Sequence, residues 1–222
     1  MNEQGKTGYN YIEMANLFAK ILDVATETKS ILSRYLNEEV IDPMSKLWYA
    51  PEAKEFFKSF QRTVADEEKN IDKAFQFFVD KIDLAQHDWS EETEGGEVAE
   101  KVTIETENIF LNVAKIKDQN DGNIYIAERS ALNFAEGLPS LREKIVSDIK
   151  TQETLLKEAS LAFIGDDQGA AIQKCFEDVL KTISDIFDFL TTGENSLKET
   201  IISVTNEYRR FARKISEEMN SK

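Results

Sequence analysis

The sequence predicts a mainly all-α protein: an antiparallel four-helix bundle made of two tandem helical hairpins, with a small β-hairpin inserted between them. Apolar residues recur every three or four positions through four long segments, and such faces must cover one another. Two short breaks join these segments in pairs: Trp48-Tyr49-Ala50 and Phe163-Ile164-Gly165. The breaks lie 115 residues apart in a chain of 222, which indicates a repeat.

The first helix is predicted from about Tyr9 to Ile41. Its apolar face alternates steps of three and four residues and includes Met14, Leu17, Ile21, Val24, Ile31 and Tyr35. Asp42-Pro43 is expected to end the helix, because proline lacks an N–H donor and disfavours helical geometry in the residue before it.

The second helix is predicted to begin at Pro51, whose missing N–H costs nothing at the first helical position. Glu52 then suits the positive end of the helix dipole. The apolar face runs to Trp89, and the polar stretch 90–100, which holds five glutamates, predicts a linker. Residues 1–90 therefore form the first predicted hairpin.

Residues 91–138 are interpreted as an acidic linker followed by an insert. The stretch 101–128 is rich in β-branched and aromatic residues, and residues 118–123 have the composition of a turn. This pattern favours a β-hairpin, with a frayed helix as the alternative.

The second hairpin is predicted over residues 139–222, where the helical period returns after Pro139. Another apolar stripe follows the break at Phe163 and is interrupted at residues 191–195 before it continues. The order of helix, break and helix thus repeats that of residues 1–90.

Composition excludes several classes of partner. The net charge is −15, from 42 acidic and 27 basic residues, so phosphate backbones would be repelled and nucleic acid is not expected. No uncharged apolar run approaches the ~18 residues of a membrane span, and the N-terminus does not look like a secretory signal. We therefore expect a soluble chain without stable membrane insertion. The single cysteine, Cys175, excludes an internal disulfide.

Residues that could carry catalysis or bind a metal are scarce. His87 is the only histidine and is interpreted as solvated helix surface, while Cys175 lies on an apolar stripe and is interpreted as a small core residue. A di-iron site would need Glu-x-x-His pairs, but Leu84 stands three residues before His87. The stretch from Asp118 to Gly122 departs from the spacing of a calcium loop and is interpreted as a turn. We therefore predict no enzyme, no metal and no cofactor.

The residues around the first break, 47–57, resemble the WXG-motif family, the small helical hairpins that type VII secretion systems export. In that family a Trp-x-Gly turn joins two helices and is followed by small residues and an inward aromatic residue. Ala50, Ala53 and Phe56 look like those positions. The second break keeps the glycine as Gly165 and has phenylalanine in place of tryptophan.

The resemblance implies a role for each break. The aromatic residue packs over the open end of the hairpin or contacts a partner, and the small third residue lets the chain turn tightly. Trp48 is the candidate for recognition, and Gly165 is the candidate for a structural turn. Family members also carry Tyr-x-x-x-Asp/Glu after the second helix as an export signal, whereas Tyr208 is followed four residues later by Ala212.

The function implied by the resemblance is non-enzymatic: a secreted substrate, chaperone or adaptor of a type VII-like system that acts through protein–protein contacts. Its partners would be secretion machinery or a toxin, and joining two hairpins in one chain makes a monomer plausible. It would be secreted without a conventional signal peptide, or stay cytoplasmic. The alternative is a cytoplasmic or phage-related structural protein that binds a partner through residues 101–128. A pore-forming toxin is disfavoured, because that segment carries Glu105, Glu107 and Lys115.

Overall fold

The described part of the chain is mainly helical, as the sequence predicts. The structure is a computed structural model that describes residues 8–93, 96–150, 161–164 and 166–220. Its α-helices are α1 Tyr11–Tyr35, α2 Asp42–Leu47, α3 Pro51–Glu92, α4 Glu128–Lys150, α5 Asp166–Ile186 and α6 Leu197–Asn220. Its strands have two residues each: β1 Gly8–Tyr9, β2 Trp48–Tyr49, β3 Tyr125–Ile126 and β4 Phe163–Ile164. Within these ranges, no helix is long and apolar enough to cross a membrane.

The helical path does not end at Asp42-Pro43, which corrects the prediction for the first helix. A π-helix, Leu36–Ile41, follows α1 and leads directly into α2, whose first turn contains Pro43. The wider turn of a π-helix shifts the hydrogen-bond register, and a proline in a first helical turn lacks only a donor that needs no intrahelical partner. The first break therefore begins after Leu47, at Trp48.

Helix α3 is 42 residues long and begins at Pro51, as predicted. Its buried positions follow one face and include Ala53, Phe57, Phe60, Val64, Ile71, Phe75, Phe78 and Ile82. It ends at Glu92, inside the predicted linker.

Of the hairpin predicted for residues 101–128, only the turn is present. Asn120 and Asn123 form an isolated antiparallel bridge, and Asp121 and Gly122 between them have φ angles of 51° and 80°. The chain before the turn has a short 3₁₀-helix, Val113–Lys115, and no strand. Strand β3 after the turn pairs with β2 rather than with this segment.

Helix α4 begins at Glu128, well before the start at residue 139 that the sequence predicts for the second hairpin, and Pro139 lies inside it. The early turns bury Ala131, Ala135 and Leu138. Two of these side chains are too small to stand out as an apolar stripe, which is why the periodicity did not reveal the first part of the helix.

The chain divides into two compact units, and each takes residues from both predicted hairpins. Unit 1 draws on Met1–Ile31, Asp66–Asn108 and Ser147–Ile186. Unit 2 draws on Leu32–Ala65, Ile109–Val146 and Phe187–Lys222. The boundaries at residues 90 and 138 stay a prediction about the sequence repeat.

Each unit has an aromatic core. In unit 1, the rings of Phe78 and Phe176 have centroids 5.6 Å apart. In unit 2, the ring of Phe60 lies 6.0 Å from that of Phe57 and 5.7 Å from that of Phe189. Complete burial of one such side chain contributes roughly 1.5–3 kcal/mol.

Candidate interaction site

The first break is a two-residue strand whose tryptophan lies in the core of unit 2. Trp48 stands opposite Ile126 and Tyr49 opposite Tyr125 in the β2–β3 pair. The Trp48 side chain is 1% exposed, and its ring centroid lies 5.9 Å from that of Phe56 and 6.3 Å from that of Phe57. In this position Trp48 contributes packing and is not presented on the surface of the unit.

Ala50, the third residue of the first break, immediately precedes helix α3. Its carbonyl accepts hydrogen bonds from the N–H groups of Ala53 at 3.1 Å and Lys54 at 3.4 Å. Ala50 is completely buried, and its φ is not in the left-handed region, so the backbone does not require glycine there. Packing, not backbone conformation, is therefore what limits the size of this residue. The neighbouring Tyr49 is half-buried.

The second break also forms a two-residue strand, in unit 1. Phe163 is buried and stands opposite Tyr9, and Ile164 stands opposite Gly8 in the β1–β4 pair. Gly165 lies outside the described residues, as does the side chain of Ile164. The predicted turn role of Gly165 therefore stays a prediction.

The two breaks are built on the same backbone pattern. In each case the break strand pairs antiparallel with the two-residue strand that precedes the first helix of the other predicted hairpin. The pattern extends one residue further, because Asn10 N–H donates to the Ala162 carbonyl at 2.8 Å and Ala127 N–H donates to the Leu47 carbonyl at 2.7 Å. The spacing between the breaks thus reflects equivalent backbone contacts as well as similar residues.

A tyrosine from helix α6 reaches the first break. The Tyr208 hydroxyl donates a hydrogen bond to Oε1 of Glu52, which lies in the first turn of α3. Burial, and then the hydrogen bond to this carboxylate, raise the pKa of Tyr208 to about 12. In the sequence analysis, Tyr208 was compared with the tyrosine of the family's export signal. In the structure, this residue makes a contact within unit 2. Sequence reasoning did not reveal this contact, because the two residues are 156 positions apart.

In unit 1, side-chain amides bind the main chain that follows α3. Gln86 Nε2 donates to the Ala99 carbonyl at 2.7 Å, and Gln86 Oε1 accepts from the Ala99 N–H at 2.9 Å. Gln76 Oε1 accepts from the N–H of Ile104 at 2.8 Å. These amides pair the backbone groups of Ala99 and the N–H of Ile104, which lie outside any strand.

In unit 2, two further amides bind residues 109–112 in the same way. Gln61 donates to the carbonyl of Ile109 at 3.2 Å and accepts from the N–H of Leu111 at 2.9 Å. Asn37 donates to the carbonyl of Phe110 and accepts from the N–H of Asn112, both at 2.8 Å. Ile109 and Leu111 are buried, whereas Phe110 between them is 74% exposed. The segment therefore presents one aromatic ring to solvent from a fixed backbone.

The last turns of α6 carry an exposed apolar row, here called the C-terminal stripe: Phe211, Ile215 and Met219. Their side chains are 64%, 49% and 77% exposed, and every residue from 211 to 220 is exposed. Earlier in the same helix, Ile201 and Thr205 are completely buried. A helix that leaves its core but keeps an apolar face is typical of an interaction surface.

The two residues that were considered for catalysis, His87 and Cys175, lie on different helices. His87 is exposed on α3, with Nε2 3.5 Å from Oδ1 of Asp83, which agrees with the predicted surface position. Cys175 is half-buried on α5, and burial followed by the nearby Asp178 raises the pKa of its thiol. Within the described ranges, no group of three or more His, Cys, Asp or Glu side chains could hold a metal ion.

A cleft of about 260 Å³ lies in unit 1, lined in part by Tyr9, Tyr11, Trp89 and Glu97. Two of these lining residues are joined by a hydrogen bond, because the Tyr9 hydroxyl donates to the Glu97 carbonyl at 2.6 Å. The cleft is smaller than the roughly 300–1,000 Å³ that small-molecule sites usually occupy.

Comparison with known proteins gives no relative: the chain matches no family model, no curated protein and no solved structure.

Proposed function

We propose that the protein is a non-enzymatic tandem WXG-like protein that serves as a substrate, chaperone or adaptor of a type VII-like secretion system. In this proposal two helical hairpins form an antiparallel four-helix bundle within one chain, as two separate hairpins would in a dimer. Joining them raises the effective concentration of each for the other, so no partner chain is needed for folding.

The observation that carries the proposal is the equivalent pairing at the two breaks. Each break strand pairs with the strand that precedes the first helix of the other predicted hairpin, in the same register. A reciprocal exchange of this kind is what two copies of one module make when they associate symmetrically. It supports a duplicated hairpin, and the Trp-x-small turn then points to the WXG-like class.

The burial of Trp48 assigns a structural role to this residue within the proposal. A tryptophan that packs on Phe56 and Phe57 holds the break closed. Partner contacts would then use surfaces that are exposed in the folded chain.

The test is an export assay combined with a size measurement in the host organism. We expect an extracellular pool of the full chain that disappears when the secretion ATPase is deleted, with a cytosolic enzyme as the lysis control. A chaperone or adaptor would instead stay inside the cell and co-purify with an exported protein, and that retention would also depend on the system. A chain that folds only as an obligate heterodimer, or that shows neither export nor such co-purification, would contradict the proposal.

A cytoplasmic or phage-related structural protein that binds through residues 101–128 is the second candidate, and exposed Phe110 favours it. Deleting the whole segment would also remove the buried side chains of Ile109 and Leu111. Phe110→Ser is therefore the better test, with Phe77→Ser, an exposed phenylalanine of α3, as the matched control. Loss of a co-purifying partner in the first variant alone, with helicity unchanged, would favour this candidate.

A further inference from the structure

The C-terminal stripe has no partner among the described residues of its own unit, and its geometry defines what could cover it. Successive helical residues turn by about 100°, so residues four apart drift by only about 40°. Phe211, Ile215 and Met219 therefore form one continuous row on α6. An exposed apolar row at the end of a long helix fits another helix packed along it.

The charges beside the stripe change sign along its length. Arg210 and Lys214 lie along one edge of the row, and Glu218 follows along the same edge, because these residues are four apart in sequence. All three side chains are exposed. Within the chain, Lys214 Nζ is 3.9 Å from Oε1 of Glu218, and both side chains are about two-thirds exposed.

Only one arrangement of two such helices brings opposite charges together. In an antiparallel pair, the same edge of each helix faces its counterpart, so the basic half of one edge meets the acidic half of the other. With Ile215 at the centre, Lys214 and Glu218 of opposite helices lie at heights that differ by about 3 Å at 1.5 Å per residue. In a parallel pair this edge would meet the other edge of the stripe, where Arg209 and Ser216 offer no acidic group.

We infer that the C-terminal stripe binds the same segment of a second copy of this chain in an antiparallel helix pair. Phe211 packs against Met219 of the second copy, and Ile215 packs against its own counterpart. The order of basic and then acidic residues brings Lys214 of each copy beside Glu218 of the other. A uniformly acidic partner would match only the basic half.

The interface is small. It covers about three turns of helix on each side. A contact of this length buries a surface well below the roughly 1,000 Å² of a stable complex. The pairing is therefore weak and reversible, and it depends on protein concentration. Each copy folds without it, because the stripe is exposed while the core of unit 2 is buried.

Sedimentation equilibrium of the full chain over a wide concentration range tests the inference. The wild type is expected to pass from monomer to dimer, and Ile215→Asp is expected to weaken the dimer by about tenfold or more. Phe77→Asp, an exposed apolar residue of α3 in unit 1, is the control and should leave the dimer unchanged. Far-UV circular dichroism verifies that every variant keeps its helicity.

A charge-exchange experiment tests the antiparallel register. Arg210→Glu with Lys214→Glu makes the edge acidic, and Glu218→Lys makes it basic, so each of these variants alone should lose the dimer. An equimolar mixture should recover association as a heterodimer. A wild type that stays monomeric at every concentration overturns the inference, even if it captures an acidic peptide. A mixture that does not associate overturns the register.

Discussion

The two breaks share a backbone arrangement and differ in what packs around it. The first break in unit 2 holds Trp48 among aromatic rings, and Tyr49 lies 5.2 Å from Tyr125, the residue opposite it, between ring centroids. In the second break, the residue opposite Ile164 is Gly8, which has no side chain. The two breaks therefore share the backbone register, whereas the side chains on the strands that face them differ.

This difference means that register and side-chain packing can vary separately. Main-chain hydrogen bonds specify the pairing of strands, and they tolerate changes in the residues that carry them. Packing energy depends on side-chain volume and contacts. We therefore expect the first break to contribute more stability than the second, although both keep the same pairing.

The largest expected effect is that of Trp48→Ala. Removing a fully buried tryptophan, together with its contacts to Phe56 and Phe57, should lower the free energy of unfolding by about 3–5 kcal/mol. Urea denaturation followed by circular dichroism measures this change. Phe77→Ala, at an exposed position, is the control and should alter stability by about 0.5 kcal/mol at most. A loss of less than about 1 kcal/mol for Trp48→Ala would contradict a core position.

Phe163→Ala should have the next largest effect, a loss of about 3 kcal/mol, because a smaller aromatic side chain leaves the core of unit 1. Hydrogen exchange sharpens the comparison. Protection should fall mainly in unit 1 for this variant and mainly in unit 2 for Trp48→Ala. If both variants accelerate the same amides, the two breaks do not stabilise separate units.

Local sequence patterns predicted the elements whose causes are local. The stripe of α3, the proline at its first position and the turn at residues 120–123 follow from periodicity and from the conformations that single residues prefer. The breaks at Trp48 and Phe163 are in this class as well, since the helical pattern stops there. The strands that pair with the two breaks could not be predicted, because a strand of two residues is too short to show an alternating pattern.

The elements that sequence reasoning missed depend on contacts between distant residues. Gln61 binds the main chain near residue 110, about 50 positions away in the sequence. A polar residue beside an apolar stripe does not indicate which backbone groups its side chain will bind. The π-helix before Pro43 also makes a distant contact, because it includes Asn37, whose amide binds residues 110 and 112. The apolar stripe that continues after residues 191–195 was expected to be covered by other helices, but Phe211 and Ile215 at its end are exposed.

Tyr208→Phe tests the contact between helix α6 and the residues that follow the first break. Loss of the hydrogen bond to Glu52 should cost about 1 kcal/mol near neutral pH. The pKa of Tyr208 is raised by burial to about 12 in the folded chain, from an ordinary value near 10. The neutral form is therefore stabilised by folding, and its contribution is complete below about pH 10 and lost as the pH rises through about 12.

The stability difference between wild type and Tyr208→Phe should accordingly shrink between about pH 9 and pH 11.5. Because the side chain is partly solvated, the change should be about 0.5–1 kcal/mol, less than the full pKa shift would give. Urea denaturation of both proteins at the two pH values measures it, with Tyr11→Phe in unit 1 as the control. A difference that grows with pH would contradict the raised pKa.

Ala50→Gly should have the smallest effect. It tests whether alanine, in place of the glycine of a Trp-x-Gly turn, lowers the stability of the first break. The backbone at Ala50 has no left-handed φ, so glycine relieves no strain. Glycine would remove a buried methyl group and add freedom to the unfolded chain, while it would cap α3 slightly better than alanine. The balance is a loss of about 0.5 kcal/mol, measurable by urea denaturation against Ala131→Gly, a buried alanine within α4. That control should cost more, since it lies within a helix. A gain in stability from Ala50→Gly would instead mean that the first break strains its backbone and that alanine replaced a glycine the turn requires.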